Sequence, residues 1–190
     1  RMSAPFARPD TPYDPANACV GAPRCPPPDG TSWPMFLVRG RASARANRPV
    51  PTLLYGYGGF DVSQTPGYSV QRMAWLLAGG AFALAEVRGG GEFGAAWHEA
   101  GRLANKPNAF EDFIAAGEYL VREGIATAGG LAAQGAANGG LLVAAAINRR
   151  PDLFAAAHPQ AGVYGMLPLH CFTSGRFRTA DDCPPAPRAD

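Results

Sequence analysis

Residues 131–145 read LAAQGAANGGLLVAA, and the spacing of their small residues suits a reactive turn. A short apolar run enters Gly135, two alanines follow, then come Asn138, Gly139 and Gly140, and a helix-like run leaves. A strand-turn-helix nucleophile elbow has the pattern G-x-S-x-G, in which a strained turn lifts a hydroxyl above the sheet. Gly135 and Gly139 occupy its two ends, and its middle position is Ala137. So sharp a turn needs small neighbours, and Gly135, Ala136, Gly139 and Gly140 supply them. A helix starting there would aim backbone N–H groups at a reacting oxygen. The N–H of Asn138 would be one oxyanion donor. Tyr57, in YGYGGF, could bring a second, its phenol, from the turn after an earlier strand.

Other readings of the same residues stay open. Glycine-rich turns between strand and helix also cradle phosphate, although G-x-G-x-x-G and G-K-[ST] are both absent from this one. A purely structural tight turn fits the spacing equally well. Tyr57 taken alone fits packing better than catalysis. His98, His158 and His170 read as surface or satisfied core residues rather than ligands.

The elements that must position these turns follow from periodicity. WPMFLVR, Trp33 to Arg39, is strand-like, and GRASARANRPVP after it reads as a loop. PTLLYGYGGF gives a strand from Thr52 to Tyr55. SVQRMAWLLAGG is a helix closed by Gly79 and Gly80. AFALAEV, Ala81 to Val87, is a second buried strand. NAFEDFIAAGEYLVREG is the best helix, with Asn108 and Glu111 in a capping-box pattern. Its apolar face carries Phe110, Phe113, Ile114, Gly117, Leu120 and Val121, and Gly124 can end it. A third strand, Leu131 to Gln134, meets the elbow pattern, and a helix from about Gly139 to Asn148 is stopped by Pro151. LFAAAHPQAGV suggests a fourth strand, against which Pro159 argues. Strands alternating with helices imply parallel βαβ units, hence an α/β fold with its chemistry at the carboxyl ends of the strands.

The bulk numbers narrow the field. The 190 residues carry a net charge of +2, too small to argue for nucleic acid or an anionic membrane. Hydrophobic residues make up 47% and charged ones 17%, enough for a buried core. Arginine carries nearly all the positive charge, and Lys106 is the only lysine. Cys19, Cys25, Cys171 and Cys183 form no C-x-x-C pair, which argues against zinc. Cys19 with Cys25 and Cys171 with Cys183 could form disulfides, but reduced thiols are expected. The opening RMSAPFARPDTPYDP lacks the apolar core of a leader, and no unbroken apolar run reaches about 18 residues, so a cytoplasmic protein with no membrane span is expected.

Several long segments together resemble the catalytic domain of the prolyl oligopeptidase family, which includes oligopeptidase B. They are PTLLYGYGGF, RGGGEFGAAWHEAG, LANKPNAFEDF and GAANGGLLVAAAINRRPDLFAAAHPQAGV, with PPPDGTSWPMFLV resembling the entry to that domain. The resemblance runs from about Asp29 to Thr179. It divides the chain into a proline-rich linker or frayed end over 1–28, part of a peptidase domain over 29–179, and a polar tail over 180–190.

The resemblance implies an α/β-hydrolase fold with a mostly parallel sheet and flanking helices, here lacking its C-terminal strands. It implies a Ser-Asp-His triad in that chain order, a β-propeller covering the site, short peptide substrates, cut after proline by prolyl oligopeptidase itself, and no metal or cofactor. It puts the nucleophile on Ala137, the oxyanion donors on Tyr57 and the Asn138 backbone, and part of a proline pocket on Phe60, Asn138 and Val163. The family's proline-stacking tryptophan falls on Arg178 and a pocket tyrosine near Asp182, which puts proline specificity in doubt. The family's catalytic Asp and His lie beyond this sequence, and Asp152 and His158 cannot replace them. The 190 residues are therefore expected to be inactive alone, and a complementing chain carrying the rest of the domain is a possible partner. A non-catalytic peptide-binding remnant is the alternative, and an α/β scaffold with unrelated chemistry a third reading.

Overall fold

The computed structural model describes residues 13–25, 29–165 and 175–182. One mixed sheet organises them. Its strands are β1 (Ala18–Gly21), β2 (Arg24–Cys25), β3 (Trp33–Gly40), β4 (Val50–Gly56), β5 (Ala81–Ala85), β6 (Ala126–Ala136) and β7 (Ala156–Gln160). Their order is β1-β3-β5-β4-β6-β7, with β2 also paired to β3. β5, β4, β6 and β7 run parallel, as the alternation of strands and helices predicts. β3 joins β5 antiparallel, and β1 and β2 join β3 in the same sense. The stretch before Asp29, expected to lack regular structure, thus contributes two short strands. They escape a periodicity reading because they are too short to show one.

The helices are α1 (Arg41–Arg45), α2 (Val70–Leu77), α3 (Ala95–Glu99), α4 (Lys106–Arg122), α5 (Asn138–Arg149) and α6 (Gly175–Arg178). α1 lies where a loop was expected. α2 ends shortly before Gly79, whose φ of +93° is the left-handed conformation that glycine accepts at a helix end. α4 ends in the same manner, at Gly124 with φ +67°. The capping box expected at Asn108 does not form. The helix starts two residues earlier, at Lys106, with Pro107 in its first turn, where a missing N–H costs nothing. Asn108 instead donates from Nδ2 to the Ala100 carbonyl at 2.9 Å, and Glu111 pairs with Arg149.

The two sheet faces are covered differently. α4 and α5 press on one face, where Trp33, Met35, Leu54, Phe113, Leu120, Leu131 and Leu142 form the core. The approach is so close that a Cβ on Gly56 would lie 2.7 Å from the Phe113 ring and 2.8 Å from Leu142. α2 covers the other face, over Phe36, Val38, Phe82 and Leu84. β5 and β6 lie on opposite sides of β4, so the chain reverses direction across the sheet there. Right-handed crossovers then send α2 and α4 to opposite faces and open a crevice at the carboxyl ends of β4 and β6. Arg88 ties the turn after β5 to α4, with Nε and Nη2 on the Asp112 carboxylate at 2.9 and 2.6 Å. Pro159 is tolerated because β7 forms the sheet edge among the described residues. Cys19 and Cys25 are free thiols, while Cys171 and Cys183 lie outside the described residues. No helix among the described residues is long and apolar enough to cross a membrane.

Phe113 is fully buried and stacks on Phe154 with ring centroids 6.0 Å apart. Phe113→Ala should lower the unfolding free energy by about 3–5 kcal/mol. A fall in the urea midpoint at constant slope would register it.

Candidate active site

Ala137 sits between β6 and α5 with φ +53° and ψ −109°, and its side chain is exposed. Such a backbone costs an alanine about 1–3 kcal/mol and persists only where the surroundings enforce it. They do so from both sides. The Ala137 N–H donates to the Gln160 carbonyl on β7 at 2.8 Å, and its own carbonyl accepts from Gly140 N–H at 3.0 Å. The small neighbours are steric necessities. A Cβ on Gly135 would strike the Gly139 backbone, and one on Gly139 would strike the Gly56 carbonyl. A Cβ on Gly140 would lie 2.7 Å from Gly162 Cα.

The parallel register of β4 and β6 pairs Tyr55 with Gln134, so the two strands deliver their turns side by side. Asn138 then locks those turns together. Its side chain is buried, at 1% exposure. Its Nδ2 donates to the Tyr57 carbonyl at 2.5 Å, and its Oδ1 accepts from Lys106 Nζ at 2.8 Å. The backbone N–H groups of Asn138 and Gly139 start α5 and have no acceptor within the helix. Tyr57 is half-buried, and burial pushes its phenol above the ordinary tyrosine range, with Arg178 pulling the other way. The phenol is therefore a neutral O–H donor at pH 7.

Behind the lock lies a buried charge cluster. Lys106, 5% exposed, donates to the Gly58 carbonyl at 3.3 Å and Asp181 Oδ2 at 3.1 Å, and meets Asp182 Oδ1 at 2.9 Å. Asp181 Oδ1 accepts the Phe60 N–H at 3.0 Å and lies 2.6 Å from His98 Nε2. Arg178 Nε donates to Asp182 Oδ2 at 2.7 Å. The Arg178 guanidinium also stands 5.4 Å from the centre of the Phe60 ring, and Lys106 Nζ 5.9 Å from it. Two carboxylates face two cations, so neither sign is left uncompensated.

The residues singled out from sequence converge in part. Ala137, Asn138 and Tyr57 meet at one sheet edge, and Phe60 adjoins them with φ +58°. Val163 follows Gly162, which packs against the start of α5. The Asn138 side chain is committed to the lock, which leaves its backbone N–H to meet a ligand. His98 is satisfied by Asp181, and His158 on exposed β7 lies 3.4 Å from Gln134 Nε2 through Nδ1. Asp152 is paired with Arg150, and His170 lies outside the described residues. Among the described residues no three His, Cys, Asp or Glu side chains converge as metal ligands. Lys106, Asp181 and His98 escape sequence reasoning as a cluster. The one available signal was a lysine kept in a chain that otherwise uses only arginine.

Ala137→Gly should relieve the left-handed strain by more than glycine's extra unfolded-state entropy costs. A net gain of about 1 kcal/mol is expected in urea unfolding. Ala137→Val should lose at least as much, because a branched side chain resists positive φ.

The comparisons with known proteins bear on the family and the fold. The profile of the prolyl oligopeptidase family matches residues 66–187. The chain is 43% identical over 159 residues to a prolyl endopeptidase of Elizabethkingia miricola, covering 81% of this chain and 22% of that protein. It is 44% identical over 156 residues to the prolyl endopeptidase of Dictyostelium discoideum, covering 82% of this chain and 20% of the relative. A solved prolyl endopeptidase superposes with a TM-score of 0.86 at 53% identity, over 90% of this chain and 25% of that one. Prolyl oligopeptidase B of Galerina marginata, in its apo form, gives a TM-score of 0.86 at 40% identity over 90% and 25%. The chain thus spans about a fifth to a quarter of the relatives it matches. With an α/β-hydrolase sheet, a strained elbow and these matches, the chain belongs to the prolyl oligopeptidase family.

Proposed function

We propose that this chain carries the elbow and oxyanion half of a serine-peptidase site for short peptides, with Ala137 in the nucleophile's place. The observation that carries the reading is the exposed, left-handed Ala137 next to Asn138, whose side chain clamps the Tyr57 turn. A peptide carbonyl over Ala137 would direct its oxygen toward the Asn138 N–H and the Tyr57 phenol. Two such donors stabilise the charge that develops on a tetrahedral intermediate.

Phe60, Val163 and the Asn138 backbone form the adjoining substrate wall in this reading. The Arg178 guanidinium beside the Phe60 ring makes that wall partly cationic. Its pairing with Asp182 keeps the wall close to neutral. Selectivity for proline is weaker here than in a wholly aromatic pocket.

A methyl group has no lone pair with which to attack a carbonyl, and no acyl-enzyme can form at Ala137. Acid and base residues would have to come from outside these 190 residues, on the same protein or on a complementing chain. The polypeptide alone accordingly does not hydrolyse peptides. A second reading, retention of the cleft for peptide binding without cleavage, is favoured by the survival of the lock despite the lost hydroxyl.

Ala137→Ser in the 190-residue chain should neither react with a fluorophosphonate nor turn over a proline-containing peptide, because nothing removes the hydroxyl proton. Labelling together with turnover would refute the reading. Micromolar binding of the same peptide by the unmodified chain, measured calorimetrically, would select the second one.

A further inference from the structure

The turn after β4 adopts a backbone that one of its residues does not favour. Phe60 and Asp61 have φ of +58° and +55°, and across them the Val62 N–H donates to the Gly59 carbonyl at 3.1 Å. A four-residue turn with positive φ at both central positions suits Gly, Asn and Asp there. Asp61 fits that rule. Phe60 breaks it, because a bulky side chain is rarely left-handed. Such a residue stays in place only where its surroundings outweigh the cost.

The neighbours in the turn fix its two ends. Gly59 is pressed against the Asn138 amide, and the Asp61 N–H reaches the Gly89 carbonyl at 3.3 Å. The bond to Phe60 itself comes from 121 positions further along the chain, where Asp181 Oδ1 accepts its N–H at 3.0 Å. The Phe60 ring stands near Lys106 and Arg178, the two cations that pair with Asp181 and Asp182. Residues 175–182 thus hold Phe60 at its N–H and beside its ring. They dock through polar groups. Asp181 is 2% exposed, the Leu103 N–H donates to its carbonyl at 2.8 Å, and Arg102 Nη1 donates to the Ala180 carbonyl at 2.9 Å. Phe177 of the same segment is 80% exposed and adds no apolar anchor.

We propose that Asp181 is a positioning residue that keeps Phe60 left-handed, so that the wall beside the elbow is assembled only when residues 175–182 are docked. The use of Phe60 as a substrate wall rests on the function proposed above, but the setting of its backbone does not. Without the acceptor the Phe60 N–H loses its partner, the backbone returns to negative φ, and the ring turns away from Arg178 and Lys106. The bond needs a lone pair and not a charge, so an asparagine oxygen can replace the carboxylate.

NMR of the 190-residue chain tests this, with Asp181→Asn and Asp181→Ala beside the parent. The one-bond Cα–Hα coupling of Phe60 reads the sign of φ. It should show positive φ in the parent and in D181N, and negative φ in D181A. Hydrogen exchange at the Phe60 amide should quicken at least about tenfold in D181A relative to the amides of α4. Positive φ retained in D181A would overturn the proposal, as would Phe60 exchange as slow as in the parent. Should D181A not fold, adding Phe60→Gly should restore folding, since glycine takes positive φ without a brace. A double variant that also fails to fold would mean that Asp181 supports more than this turn, which refutes the assignment. No peptide enters these readouts, so their failure is distinct from a failure of the proposed function.

Discussion

The buried side chain of Asn138 is the interaction on which the arrangement depends. One amide holds the Tyr57 carbonyl with its nitrogen and the Lys106 ammonium with its oxygen. It sits at the first residue of α5, so whatever it fixes is fixed relative to Ala137. The Tyr57 turn, the elbow and the N-terminus of α4 are three separate pieces of chain, and they share this one contact. A side chain without both a donor and an acceptor at this spot could not satisfy both neighbours. The bulk of the amide also explains Gly59, which has no space for a side chain.

The lock draws its rigidity from what surrounds it. Lys106 is anchored from four directions, and Asp181 passes the constraint on to Phe60 and His98. Desolvating this many charges is expensive, and such clusters stabilise little compared with apolar packing. What this cluster does is join Gly58, Phe60, His98 and Asn138 through Lys106 and Asp181. The crevice lies where the chain reverses direction across the sheet, so both turns reach it from strand ends held by the parallel ladder. The strain at Ala137 is retained although the side chain there has no chemistry. It follows from glycine contacts and backbone bonds that do not involve the Ala137 side chain.

What could be read in the sequence was whatever periodicity and punctuation encode. The parallel strands, α4 and α5 show as apolar runs closed by glycine or proline, and the elbow shows because sterics leave no freedom at Gly135 and Gly139. The two short strands before Asp29 did not show, since four and two residues are too few to carry a period. The start of α4 was misplaced because Asn108 has a tertiary partner that a local capping rule does not know of. The Lys106 cluster was invisible for a similar reason. Asp181 comes 75 residues after Lys106, and only the fold brings them together.

Position 137 presents its side chain to solvent at the positive end of α5, next to the Asn138 and Gly139 N–H groups. A cysteine there reports on it directly. In Ala137→Cys, helix N–H groups and exposure should lower the thiol below its usual 8.5 or so and speed alkylation. Iodoacetamide labelling rates across pH, read peptide by peptide in a mass spectrometer, give both quantities. The introduced thiol should be modified faster than Cys19 or Cys25 and ionise near or below about pH 7.5, a rough bound for thiols at helix N-termini. Labelling as slow as that of buried Cys25, with no thiolate below about pH 8.5, would contradict it.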